Sequence, residues 1–182
     1  MEVEKLMTRD VAVCSPTDPL NIAARIMWEH DCGCVPVVDG NMRPVGMVTD
    51  RDACMGAYTQ GRSLHLIPVQ DVMSKPVLAC APDDDLVVAE KLMRDNRIRR
   101  LAVCDLDGKL VGVISLSDIA REAERERLSG ASRLVRSAEL AQVLGAISQP
   151  HAHAETPIPF APEPGEVEYR PKAPIKRGHA YR

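Results

Sequence analysis

Gly46-Met-Val-Thr-Asp-Arg-Asp52 and Gly112-Val-Ile-Ser-Leu-Ser-Asp118 carry one pattern: a glycine, two apolar residues, a hydroxyl, and an aspartate three positions after that hydroxyl. The two stretches stand 66 residues apart, and the same offset carries residues 7 to 52 onto 73 to 118 without a gap. It matches Met7 to Met73, Val11 to Val77, Cys14 to Cys80, Pro16 to Pro82, Asp18 to Asp84, Leu20 to Leu86, Ala23 to Ala89 and Met27 to Met93. Val37, Asp39, Val45, Gly46 and Asp52 find their identical partners in Val103, Asp105, Val111, Gly112 and Asp118. Thr8/Ser74, Arg9/Lys75 and Thr49/Ser115 are close substitutions in the same register. Self-similarity at one period marks a duplicated structural unit.

Each copy reads in the same order. Val11 to Cys14 and Val77 to Cys80 are short apolar strands, each followed two residues later by a proline that stops it. Asp18 and Asp84 are expected as helix N-caps. After them Leu20, Ala23, Ala24 and Met27, or Leu86, Ala89, Leu92 and Met93, recur at helical spacing. Two strands follow, Val35 to Val38 and Pro44 to Val48, around the turn Asp39-Gly40-Asn41-Met42. The second copy repeats them as Leu101 to Cys104 and Leu110 to Ile114. A second helix opens after Thr49 or Ser115. The unit is β-α-β-β-α, and at about 55 residues it buries too little surface to stand comfortably alone. The fold class is therefore α/β (α+β), with two such repeats, residues 3–60 and 67–123, packed as a pseudo-two-fold pair. Residues 124–149 form a helical extension, in which Leu134, Leu140, Val143, Leu144 and Ile147 mark an amphipathic helix beyond a break at Ser129-Gly130. The run from Arg121 to Arg127 alternates acids and bases and reads as a solvated helix face. Residues 150–182 hold seven of the 14 prolines, a composition that packs no core, and are expected to be an extended or disordered tail.

The net charge of −3 supplies no positive field for a nucleic-acid backbone or an anionic membrane. Aromatics are 3% of the chain, too few for a base-stacking platform. No apolar run has the length of a membrane span, and the N-terminus lacks the apolar segment of a secretory signal, so the expected address is cytoplasmic. The six cysteines sit mostly in apolar stretches and read as small buried hydrophobes. Cys32 and Cys34 form a close pair, but no second pair completes a zinc site, and no metal is expected.

The duplicated unit resembles a tandem pair of cystathionine-β-synthase (CBS) domains, a Bateman module. The resemblance covers residues 3 to 123 and rests on Leu6-Met7-Thr8 with Val72-Met73-Ser74, on Val35-Pro36-Val37-Val38-Asp39, and on the two G-h-h-T/S-x-x-D stretches. It implies a regulatory module that binds AMP, ADP, ATP or S-adenosylmethionine in clefts between the repeats, and a homodimer acting on an unidentified partner protein. An aspartate in a helix's first turn suits ribose hydroxyls, and the helix N-terminus suits phosphate. Asp52 with Thr49 and Asp118 with Ser115 are the expected ribose-contacting pairs; the alternative is that each pair only caps its helix. Arg99 and Arg100, just before the second copy's central strand, and Arg51 are the phosphate candidates, guanidinium forks matching phosphate oxygens, against the alternative of a solvated surface. The adenine slot is expected among Thr8, Val11, Val35, Pro36, Val37, Ser74, Val77, Leu101, Ala102 and Val103, with plain core packing as the alternative for the valines.

Three functions compete. A ligand sensor without catalysis leads. An enzyme is disfavoured because none of the five histidines accompanies a nucleophile constellation, and what lies outside the repeats is too short and Pro-rich for a catalytic domain. A ligand-independent scaffold acting through the CBS dimer and the tail is the alternative.

Overall fold

A computed structural model describes residues 1–129, 135 and 137–149. The chain divides into two units, Met1–Gln149 and Pro150–Arg182, and the described residues all belong to the first. The expected tail and Leu134 lie outside the described residues. In the first unit the order is α1 (Leu20–Glu29), β1 (Cys34–Val38), β2 (Pro44–Thr49), α2 (Asp50–Gln60), β3 (Ala79–Cys80), α3 (Leu86–Asn96), β4 (Arg100–Cys104), β5 (Leu110–Ser115), α4 (Leu116–Ser129) and α5 (Ser137–Ile147). β1 and β2 pair antiparallel as one sheet, and β3-β4-β5 form the other, with β3 parallel to β4. This is the mixed helix-and-strand fold that the repeat predicts.

The strand expected over Val11 to Cys14 shrinks to one bridge, Cys14 to Val37. The reason is Pro36. In the second copy the Ala102 N–H donates to the Leu78 carbonyl at 3.2 Å. Pro36 occupies the equivalent place and has no N–H to give. The expected N-caps are also displaced. Asp18 accepts from the Ser15 N–H and Asp84 from the Ala81 N–H, both at 2.8 Å, so each closes the turn before its helix. α1 starts after Pro19, which has no capping side chain, and α3 is capped by Asp85, which accepts from the Val87 N–H at 3.0 Å.

The two copies are joined by exchanged entry segments. Val3 donates to the Asp84 carbonyl and Val69 to the Asp18 carbonyl, both at 2.9 Å. Val3 and Met7 are buried in the second copy's core, while Ile67 and Val69 are buried in the first's. Thr8 and Val113 exchange two backbone hydrogen bonds of 2.9 and 3.0 Å; Ser74 and Met47 exchange the equivalent pair at 2.8 and 3.3 Å. All these pairs obey the 66-residue offset, so the pseudo-two-fold relation is built from hydrogen bonds. The motif glycines permit the crossing. A methyl on Gly112 would stand 2.8 Å from both the Met7 sulfur and the Thr8 carbonyl oxygen, and one on Gly46 would overlap Met73.

The C-terminal elements differ from expectation. α4 runs unbroken through the charged stretch, and Glu122 and Glu126 in it are buried, Glu126 accepting from the Val135 N–H at 3.0 Å. The face is only partly solvated because the chain returns over it. α5 places Val143 and Ile147 in the second core and packs on α3, so its apolar face is covered within the unit.

Candidate functional site

The start of α4 is a closed polar knot. Asp118 Oδ2 accepts from the Ser115 backbone N–H at 2.8 Å and from its hydroxyl at 2.6 Å, while the Asp118 N–H donates to Ser115 Oγ at 3.2 Å. Thr49 and Asp52 make the same reciprocal box at the start of α2, with distances of 2.9, 2.7 and 3.2 Å. The capping role is therefore real in both copies. It uses Oδ2 and leaves the outer oxygen to other partners. In the second copy that oxygen, Oδ1, accepts from the Arg121 guanidinium.

The crossing of the first copy's entry segment over β5 sets a cleft of about 420 Å3 against this knot. Ligand sites span ~300–1,000 Å3. Val11, Ala12, Ile26 and Val113 supply its aliphatic lining; Thr8, Ser115 and Asp118 supply hydrogen-bonding groups. Two guanidinium groups, Arg100 and Arg121, line it from the second copy, and Asp10 and Asp31 from the first. Arg100 lies over the Gly33 backbone, where a methyl would come within 2.9 Å of its guanidinium nitrogen and 3.6 Å of Asp50 Oδ2. Cys34 is buried at the cleft floor. Burial pushes its thiol up to about 11, opposed by the Arg100 charge, and Cys32 and Asp50 push the same way as burial. It stays a protonated thiol at neutral pH and no nucleophile.

Of the residues expected in a site, Thr8, Val11, Arg100, Ser115 and Asp118 come together here. Val35, Val37, Leu101, Ala102 and Val103 are fully buried, Pro36 is buried with them, and none lines this cleft. They are consecutive residues of β1 and β4; Val35 and Val37 belong to the first core, and Leu101 and Val103 to the second. Arg99 faces a second depression with Leu144 and Ser148, and Val77 a shallow one with Pro76 and Met73. Ser74 sits in its bridge to Met47. Thr49, Arg51 and Asp52 lie at the start of α2, where the pseudo-two-fold axis repeats the knot. Arg121, Ile26, Ala12 and Cys34 were not anticipated. For Arg121 the signal was available: it stands where the first copy has Met55, one turn beyond the motif aspartate.

Burial also raises Cys14 and Cys80 to about 11, in keeping with small core hydrophobes, whereas Cys32 and Cys54 are exposed. Among the described residues no three His, Cys, Asp or Glu side chains group as metal ligands, and no helix is long and apolar enough to cross a membrane.

The CBS domain family matches the chain twice, over residues 3–55 and 69–125. The chain belongs to the CBS-domain family. This CBS pair is 38% identical over 118 residues to the CBS domain-containing protein YhcV of Bacillus subtilis, covering 65% of the chain and 82% of YhcV. It is 36% identical over 119 residues to MK0525 of Methanopyrus kandleri, covering 65% of the chain and 61% of that protein's length. A crystal structure of CBSX2 in complex with AMP shares 27% identity with a TM-score of 0.60, covering 69% of this chain and 98% of the other. CBSX2 is from Arabidopsis thaliana.

Proposed function

We propose that this CBS pair is a regulatory module without catalysis, which binds an adenosine-containing ligand, AMP, ADP, ATP or S-adenosylmethionine, in the cleft between the repeats. The observation that carries the reading is the convergence of Thr8 and Val11 from the first copy with Ser115 and Asp118 from the second on one cleft. The similar structure with AMP supports the ligand class. In this reading the ribose hydroxyls donate to the outer oxygen of Asp118, the adenine lies against Val11, Ile26 and Val113, and Arg100 meets phosphate. Asp52, Thr49, Arg51 and Arg99 serve the pseudo-symmetric place beside α2. Ligand that spans both copies favours one arrangement of the pair over another, and only such differential affinity transmits a signal. The module acts in the cytoplasm as a homodimer upon an unidentified protein partner.

A thermal-shift screen with AMP, ADP, ATP and S-adenosylmethionine tests this. Ligand at 100 times its Kd adds about 2.7 kcal/mol to stability. At least one ligand is expected to raise the Tm of the ligand-free wild type. Asp118→Asn, which retains a capping acceptor, is expected to abolish that shift. No shift with any of the four favours the ligand-independent scaffold; a shift that survives Asp118→Asn and Asp52→Asn moves the site elsewhere.

A further inference from the structure

α4 carries a ladder of arginines, each reaching back one turn to an acid. Arg125 pairs with Glu122 at 2.8 Å and Arg127 with Glu124 at 2.7 Å. Arg121 follows the same rule, but its acid is Asp118, the carboxylate at the cleft. Two features separate it from the other rungs. Arg121 lines the cleft and the others do not. Its oxygen is Oδ1, because Oδ2 is committed to the Ser115 cap. A ribose hydroxyl reaching Asp118 must therefore compete with this guanidinium. The guanidinium is free to leave: the arginine side chain is 74% exposed and water can solvate it, whereas the Asp118 side chain, 10% exposed, stays fixed by its cap.

Displaced by ribose, Arg121 stays tethered one helical turn away, on a long side chain that swings within the same cleft. There it meets whatever extends from the 5′ carbon. Arg100 stands in the same cleft. A phosphate gains charge-assisted, bidentate hydrogen bonds from both forks. A sulfonium in that position meets two like charges instead, and a bare 5′-hydroxyl gives neither guanidinium an anionic partner.

Resting on the adenosine-ligand reading above, we infer that Arg121 is the specificity residue of this cleft: it exchanges the Asp118 carboxylate for the 5′-phosphate of an entering nucleotide, so that the cleft selects adenosine 5′-phosphates over adenosine and S-adenosylmethionine. The first copy's aspartate, Asp52, has Met55 at the equivalent place and lacks this exchange.

Isothermal titration of the full chain with AMP, adenosine and S-adenosylmethionine tests it, using wild type, Arg121→Met, which installs the first copy's residue, and Arg125→Met, which removes a neighbouring exposed arginine outside the cleft. Wild type is expected to bind AMP at least ~10-fold more tightly than adenosine, a step of about 1.4 kcal/mol. Arg121→Met is expected to narrow the AMP preference several-fold, Arg100 remaining, while adenosine binds as well or better, the Asp118 carboxylate now unopposed. Arg125→Met keeps the wild-type ratio. An unchanged AMP-to-adenosine ratio in Arg121→Met, an equal loss in Arg125→Met, or a preference for S-adenosylmethionine in wild type overturns the specificity role and leaves the adenosine site standing. Failure of wild type to bind all three overturns the site itself.

Discussion

Glu90 of α3 is 5% exposed, and its Oε1 has no hydrogen-bond partner among the described residues. Burial, followed by the charges of Glu139 and Asp85, pushes its carboxyl up to about 7. A glutamate in the unfolded chain titrates near 4.5. Between those values the folded protein holds a proton that the unfolded chain has released. The stability this contributes is full below the unfolded value and is lost as pH rises through about 7. Glu90→Gln is therefore expected to raise stability at pH 8 by roughly 1–3 kcal/mol while changing little at pH 4.5. Thermal denaturation at the two pH values checks this, and parallel wild-type and variant curves would contradict it. In the sequence Glu90 is one polar position among apolar ones on an amphipathic helix. Helical spacing puts it on the packed stripe with Leu86, Ala89 and Met93, although a carboxylate belongs in solvent. The packing of α5 on α3 adds to the burial and brings Glu139 near, a tertiary event that local periodicity does not encode. Asp118 is the opposite case: its place in the repeated motif named it from the sequence, and its two oxygens now have separate work, one capping and one facing the cleft.

The elements were legible where period and cap agree. β1, β2, β4 and β5 lie within a residue of their expected limits, since short apolar runs bounded by turn residues define them. The first copy's entry strand was not, because a strand needs a donor on its neighbour and Pro36 removes one; the second copy's keeps only Ala79–Cys80. The opening of α4 depends on its reciprocal cap. Ser115→Ala is expected to cost about 1 kcal/mol of stability, measurable as a lower denaturation midpoint with an unchanged denaturant slope. A loss of zero would mean that the cap is made by water or backbone instead. α5 was expected as an amphipathic helix, and its apolar stripe closes the second core, where Val143 is 1% exposed. Val143→Ala is expected to cost about 2 kcal/mol through lost burial and the remaining cavity. Chemical denaturation checks it. A neutral result would show α5 to be detached from α3 in solution.

At the scale of the molecule, the duplication was plain in the sequence but the exchange of entry segments was not. A repeat period says that two units are alike; it does not say that Val3 belongs to the second core and Val69 to the first. That exchange makes the cleft composite, with one wall from the first copy, its entry segment together with Ile26 and residues 30–34, and the other from the second copy. It also sets which residues of the expected adenine slot reach this cleft: Thr8 and Val11 line it, and Val35 to Val37 and Leu101 to Val103 do not. Those strand residues lie in the cores, and the cleft is lined by the crossing entry segment, the residues before and at the start of β1, the start of β4, and the first turns of α4. The most direct measurement is a crystal structure of the full chain grown with AMP. The ribose hydroxyls are predicted on Asp118, the base against Val11 and Val113, and the phosphate between Arg100 and Arg121. AMP bound elsewhere, or this cleft unoccupied at saturating AMP, would contradict the account.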